Sequence, residues 1–239
     1  MVNLRSKNEA EPLAVKRKVV IVDDHAILRQ GITQLINQEP DLTVWWDGEE
    51  PAKVLSAIAM HGPDIAIVDL SLKNSDGIEL IKSMRAKFPS LPILVLSMFD
   101  EALYAERVVR AGARGYIMKE EATSNVLLAI RTVLKGEIYL SASTKDKMVQ
   151  NLLNGQAGGS RDAIGRLSDR ELEVFRLLGQ GMGTRQVAEA MHLSVKTVET
   201  YRAGIMKKLE LGNATELVQR AFSWVHHESG RAKGRGLFP

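Results

Sequence analysis

VVIVDD, residues 19–24, is an apolar, β-branched run that ends on two adjacent aspartates. Such a run suits a strand buried on both faces, whereas neighbouring carboxylates repel one another and belong where a cation meets them. The runs LTVWW (42–46), IAIV (65–68), ILVL (93–96) and GYIM (115–118) repeat the pattern, separated by segments with helical spacing such as Leu28, Ile32, Leu35 and Ile36. Strand alternating with helix predicts an α/β, doubly wound, five-stranded parallel sheet covered on both faces.

In such a sheet the ligand site lies beyond the carboxyl ends of the strands. The residues that follow the runs, namely Asp23 and Asp24, Asp47, Asp69, Ser97 and Lys119, therefore share one rim, with strands one, three, four and five expected at its centre. Three converging carboxylates raise one another's pKa unless a cation sits among them, and a hard divalent ion such as Mg²⁺ resolves that conflict. A carboxylate is ionised at neutral pH and attacks phosphorus without a general base, giving an acyl phosphate. Asp69 is the candidate nucleophile, with the acidic pair as metal holder, Lys119 neutralising the phosphoryl oxygens and Ser97 donating a hydrogen bond. Asp47 and Asp64 read as loop or structural residues, and Trp45 and Trp46 as packing.

Composition bounds the reading. A chain of 239 residues, 45% hydrophobic and 26% charged, suits one large or two ordinary folded domains. It has no cysteine, which removes disulfides and thiolate metal sites and suits a reducing compartment. No apolar run approaches the roughly 18 residues of a membrane span, and MVNLRSKNEAEP lacks the apolar core of a signal peptide. A cytoplasmic protein with no membrane partner is expected.

Charge is split. Residues 1–140 hold 17 Lys+Arg against 19 Asp+Glu, a net of −2, and residues 141–239 hold 15 against 10, a net of +5. An ion-handling half joined to a half that meets a polyanion is the expectation. The small, polar core GQAGGSRD marks residues 141–166 as a linker, with one short helix around Met148 to Leu153. The expected layout is an N-terminal tail (1–16), an α/β domain (17–140), the linker, a smaller all-α domain (167–226) and a basic tail (227–239).

DD at 23–24, VDLSLKNSDG around Asp69, SMF from Ser97 and GYIMK ending at Lys119 together resemble the receiver domain of two-component response regulators, over about residues 17–138. The resemblance implies a flavodoxin-like fold, Mg²⁺ held by Asp23, Asp24, Asp69 and the backbone carbonyl of Ser71, and phosphorylation of Asp69 by a histidine kinase. It also implies a switch in which Ser97 moves toward the phosphoryl group and Tyr116 rotates inward. Glu120 stands where receivers often carry proline.

In the C-terminal half, Ser168-Asp169-Arg170-Glu171 is a capping box that opens a helix. Thr184 caps a second helix, HL makes a turn, and Ser194 caps a third, VKTVETYRAGIMKKL. This is a helix-turn-helix pattern with Val187, Met191 and Leu193 in its small core. On the third helix Val198, Ile205 and Leu209 share one side, and Lys196, Thr200, Ala203 and Lys207 the other, a slim cationic face suited to a major groove.

The stretch LSDRELEVFRLLGQGMGTRQVAEAMHLSVKTVETYRAGIMKKLEL resembles the LuxR-type helix-turn-helix, and with the receiver it points to the NarL/FixJ class of transcription factors. The resemblance implies Glu199, Thr200 and Ala203 near bases of double-stranded DNA, and Lys196, Thr197, Tyr201, Arg202 and Lys207 nearer its backbone. Asn213 to Glu216 caps a fourth helix that offers Leu217, Val218, Ala221 and Val225 to the domain and to a second copy, so a homodimer is expected on phosphorylation. Gly204 weakens the third helix by about 1 kcal/mol relative to Ala. The GRAKGRG tail is either a disordered solubilising segment or an auxiliary phosphate contact. No turnover beyond the chain's own phosphorylation is expected. The rivals are an aspartyl-phosphate phosphohydrolase, which needs a second acid two residues after Asp69 where Ser71 stands, and a binding module with a vestigial pocket.

Overall fold

The computed structural model describes residues 15–72, 76–153 and 163–233. The expectations for the first 14 residues, for GQAGGSRD (155–162) and for the last six residues lie outside these. The chain divides into two compact units, with a boundary between Tyr139 and Leu140 and with Ser71–Leu80 grouped with the second unit.

The N-terminal half of the chain runs β1 (Arg17–Val22), α1 (Ala26–Asn37), β2 (Leu42–Gly48), α2 (Pro51–His61), β3 (Ile65–Asp69), α3 (Gly77–Lys87), β4 (Ile93–Ser97), α4 (Glu101–Ala111), β5 (Gly115–Met118) and α5 (Ala122–Leu134). All neighbouring strands are parallel, in the order β2-β1-β3-β4-β5. The strand predictions hold, and β1, β3 and β4 are interior as expected. β5 is an edge strand rather than a central one. Its open side is partly covered where Tyr116 N donates to the Tyr139 carbonyl and Tyr139 N to that of Arg114, at 2.9 and 3.0 Å.

The apolar runs explain the sheet. Val19, Val20, Ile21, Val22, Ile65, Ile67, Leu94 and Leu96 are buried, and Val126, Ala129, Ile130 and Val133 of α5 pack on the same core as Ile32 and Ile36 of α1. β2 departs from the pattern. Its pairing with β1 slips between Val19 and Val20, so Trp45 is the extra residue of a bulge, and it lies against the His61 ring at 3.9 Å rather than in the core. Asp64 is structural as read, its carboxylate accepting from Arg17 Nη1 and Lys18 N, both at 2.8 Å.

The second unit contains α6 (Ala142–Leu153), α7 (Asp169–Gly179), α8 (Thr184–Ala190), α9 (Val195–Lys208) and α10 (Ala214–Lys233). α6 begins six residues before the short helix expected in the linker, because Ser141 supplies a starting turn through its hydroxyl and the Thr144 N–H at 3.3 Å. α10 continues through Lys233, so the first part of the tail expected over 227–239 is helical. Arg231, Ala232 and Lys233 are good helix formers, and one glycine does not outweigh them.

Caps set the other boundaries. Ser168 and Glu171 form the reciprocal capping box, Ser194 accepts from Thr197 N at 3.0 Å, and Asn213 accepts from Glu216 N at 2.9 Å. Thr184 is the first helical residue of α8 rather than its cap. Gly183 precedes it, and Gln186 Oε1 accepts from Gly183 N at 2.8 Å. The turn between α8 and α9 is tight, with His192 at φ 53° and Leu193 N donating to the Ala188 carbonyl at 2.8 Å.

Gly204 has a packing reason. A Cβ there would come within 2.7 Å of Glu171 Oε1. That buried carboxylate accepts from Ser168 N at 2.7 Å and from Lys208 Nζ at 2.5 Å, joining α7 to the end of α9. Burial opposes its charge, but the Lys208 ammonium and the Ser168 donors outweigh burial and hold the carboxyl below its ordinary value. A depressed carboxylate contributes stability above its unfolded pKa of about 4.3 and loses it as pH falls through the lower folded value. Glu171→Gln is therefore expected to cost about 1–2 kcal/mol at pH 7. Urea unfolding across a pH series should also show a shallower loss of stability below about pH 4.5 in the variant.

Candidate functional site

The carboxyl ends of β1 and β3 and the turn after β5 bring Asp23, Asp24, Asp69 and Lys119 together, and Ser97 ends the neighbouring strand β4. Asp23, Asp24, Asp69, Ser97 and Lys119 are all buried, Asp69 and Ser97 completely. β1 ends one residue before Asp23, β3 on Asp69 and β4 on Ser97, and Lys119 opens a short 3-10 turn after β5. The strand register thus brings together residues up to 96 positions apart.

Lys119 is the cation of the pocket. Its Nζ lies 2.7 Å from Asp69 Oδ2 and 3.0 Å from Asp23 Oδ1, with both partners buried. An ammonium held between two buried carboxylates offsets part of their mutual repulsion and keeps them close. Ser97 Oγ accepts from Phe99 N at 3.1 Å. Tyr116 already points inward. It is buried, its hydroxyl donates to the Phe99 carbonyl at 2.7 Å, and burial holds its phenol well above the ordinary tyrosine range. Ser71 stands two residues beyond Asp69, just past the strand, with its hydroxyl oxygen buried.

Two neighbours were missed in the sequence. His25, directly after the acidic pair, turns its Nδ1 into the pocket, 2.8 Å from Asp24 Oδ1 and 3.5 Å from Asp69 Oδ2. Arg29, one helical turn into α1, donates to the Asp23 backbone carbonyl through Nη1 and to Asp47 Oδ2 through Nε at 3.0 Å. Asp47 is therefore a partner of Arg29 at the end of β2 rather than a loop residue. The spacing of His25 and Arg29, i and i+4 at the start of a helix, puts both on the rim side and was the available clue.

Ligand atoms of Asp23, Asp24, His25 and Asp69 all lie within 4.8 Å of one another. Buried carboxylate oxygens converging from two strand ends are the donor set a hard divalent cation takes, so these residues fit such an ion. The pocket can also present the Asp69 carboxylate to an electrophile beside a fixed ammonium.

In the second unit, α9 shows the two faces its sequence predicts. Val198 and Ile205 are fully buried, while Lys196, Glu199, Thr200, Ala203 and Lys207 are exposed. Thr197, Tyr201 and Arg202 are half-buried. The Arg202 guanidinium donates to Thr184 Oγ1, which ties α9 to the start of α8. Thr200 donates its hydroxyl to the Lys196 carbonyl at 3.0 Å, one turn back.

Comparison with known proteins gives the same division. Residues 19–131 match the response regulator receiver domain, and residues 165–221 match the bacterial regulatory proteins of the luxR family. The chain is 35% identical over 209 residues to the oxygen regulatory protein NreC of Staphylococcus epidermidis, covering 85% of this chain and 96% of that protein. NreC of Staphylococcus carnosus is 36% identical over 208 residues, with the same coverage. Among solved structures, RcsB of Salmonella enterica serovar Typhimurium bound to promoter rprA with the phosphomimetic BeF3⁻ is similar at TM-score 0.54 and 27% identity, covering 85% of this chain and 97% of that one.

Proposed function

The chain belongs to the response regulators of the NarL/FixJ class, which join a receiver to a LuxR-type DNA-binding domain, and on that premise we propose that phosphorylation of Asp69 by a histidine kinase controls its binding to DNA. The observation that carries the proposal is the buried Asp69 carboxylate, held 2.7 Å from the Lys119 ammonium and facing Asp23 and Asp24. Residues 17–140 are taken as the receiver, 141–166 as the connection and 167–226 as the DNA-binding domain.

Asp23, Asp24, Asp69 and the Ser71 carbonyl would hold Mg²⁺, which when bound supplies charge neutralisation to the phosphoryl oxygens. An Asp69 carboxylate oxygen forms the new O–P bond as the P–N bond to the donor imidazole breaks, and the imidazole leaves with a proton from solvent. Lys119 stays beside Asp69 and pairs with the charge that arrives there. The Ser97 hydroxyl, now an acceptor for Phe99 N, turns to donate to the phosphoryl group, and the Tyr116–Phe99 pair shifts with it. Arg29 fixes the Asp23 backbone and so positions the acidic pair.

The output is carried by α9. Glu199, Thr200 and Ala203 face bases, and Lys196, Thr197, Tyr201 and Lys207 meet phosphates. Arg202, paired with Thr184, holds α8 and α9 together and keeps further guanidinium N–H groups for a phosphate. Two copies meeting through α10 would read paired half-sites. No helix among the described residues is long and apolar enough to cross a membrane, and the reading places the protein's work on DNA in the cytoplasm.

The test is intact-protein mass after incubation with Mg²⁺ and a small acyl-phosphate donor, followed by DNA affinity of both forms. One phosphoryl adduct that depends on Mg²⁺, with tighter DNA binding in the modified form, is expected. An adduct that leaves DNA affinity and self-association unchanged would sink the switch but not the DNA binding.

A further inference from the structure

Glu199 puts a negative charge in the middle of the face proposed to meet DNA. Along α9 the exposed residues Lys196, Glu199, Thr200, Ala203 and Lys207 form the side turned from the core, with a lysine toward either end and the carboxylate between them. A polyanion attracts lysines and repels a carboxylate. A glutamate placed there weakens binding to any DNA unless a base edge offers it a hydrogen.

No contact among the described residues accounts for that charge. Glu199 is the fifth residue of α9, beyond the first turn to which the helix dipole's preference for acids is confined. Lys196 and Arg202 stand three residues away on either side, a spacing that allows helical ion pairs. Among the described residues, however, no ion pair or side-chain hydrogen bond engages the Glu199 carboxylate, and Arg202 turns to Thr184 Oγ1 instead. The neighbours on this face do not compete with it for a base donor through a charge. Ala203 has only a methyl group, and Thr200 commits its hydroxyl hydrogen to the Lys196 carbonyl at 3.0 Å, which leaves a methyl and a neutral acceptor.

We propose that Glu199 makes the operator half-site specific for cytosine. A carboxylate only accepts hydrogen bonds. In the major groove guanine shows two acceptors, and thymine an acceptor and a methyl group, so neither offers it a hydrogen. Adenine has an amino donor, but its ring-nitrogen acceptor lies beside that group and opposes the second carboxylate oxygen. Cytosine alone shows an amino donor with no acceptor of its own on that edge. The inference rests on the reading that α9 enters the major groove, and it adds the base selected there.

Randomised duplex DNA is selected for binding by the full chain, by Glu199→Ala and by Glu199→Gln, each with and without Mg²⁺ and the acyl-phosphate donor. Affinities for the selected sites are then measured at a fixed salt concentration. Wild type is expected to fix cytosine at one position of each half-site and to bind a site with guanine there about tenfold more weakly. In Glu199→Ala the preference at that position vanishes, and affinity for random-sequence DNA rises about twofold because a negative charge leaves the interface. Glu199→Gln moves the preference to adenine, whose donor and acceptor a carboxamide meets together. Glu199 is exposed and the buried Val198 and Ile205 are untouched, so thermal unfolding of the three proteins should coincide. Selected sites that are identical for all three proteins, or a Glu199-dependent position that holds another base in wild type, overturn the proposal and leave DNA binding standing. A full chain that enriches no sequence in either state overturns it together with the DNA-reading role on which it rests.

Discussion

Asp69→Asn is expected to abolish the phosphoryl adduct outright while leaving the receiver folded. The residue is completely buried at the end of an interior strand, and its carboxylate meets the Lys119 ammonium at 2.7 Å. Asparagine keeps the shape and one carbonyl acceptor but lacks the anionic oxygen that attacks phosphorus without a base. Asp23 remains beside Lys119 at 3.0 Å, so the ammonium keeps a charged partner. Losing one of three crowded carboxylates also relieves repulsion, which partly offsets the lost pair, and a net stability change within about 1–2 kcal/mol is expected. Intact mass and thermal unfolding of the same preparation check both halves. An adduct persisting on the folded variant would move the phosphoacceptor to another residue.

Gly179→Ala is expected to destabilise the DNA-binding unit by about 3 kcal/mol and with it DNA binding at ordinary temperature. Alanine in place of glycine inside a helix normally gains up to about 1 kcal/mol, so the sign depends on what the new methyl meets. Gly179 is the last residue of α7, and a Cβ there would stand against the backbone carbonyl of Ala221 in α10, with Val225 Cγ2 at 2.7 Å and Ala221 C at 2.8 Å. A backbone carbonyl in mid-helix cannot give way, so α10 must move off α7. That displaces the Phe175–Trp224 ring contact, now at 5.6 Å, and opens the core around Leu217 and Ala221. Urea unfolding followed by tryptophan fluorescence, together with DNA affinity, measures the effect. A variant as stable as wild type would mean that the two helices pack less closely than described.

The contrast between Gly179 and Gly204 shows what a sequence can and cannot convey. Both are helical glycines, and one sits against a backbone carbonyl while the other leaves room for a carboxylate at the end of a flexible side chain. Nothing in the one-dimensional pattern separates them. The rim was legible because each of Asp23, Asp69 and Ser97 ends or directly follows an apolar run, and a parallel sheet gathers such positions at one edge. His25 and Arg29 escaped notice because they do not follow a run. They enter the pocket only because α1 starts directly behind the acidic pair and turns its first face toward it.

Other misses have similar physical origins. An apolar run identifies GYIM as a strand but says nothing of its neighbours, so β5 reads as interior when its second side is covered only by a short backbone bridge at Tyr139. Two adjacent tryptophans look like core material, yet a one-residue slip in the β1–β2 pairing sends Trp45 outward. Helix caps were read well where the cap is a side chain, as at Ser168, Ser194 and Asn213, and misplaced by one residue where a glycine does the capping.

The bridge at Tyr139 decides where the molecule can be cut. A fragment ending at Glu137 would strip the Tyr116 and Arg114 backbone groups of their partners, leaving β5 as a bare edge that another chain can extend. Ending the fragment a few residues later, beyond Leu140, retains the strap. Size-exclusion chromatography of the two fragments should therefore give soluble monomer from the longer and progressive association from the shorter, although they differ only by a handful of residues outside every strand and helix of the sheet.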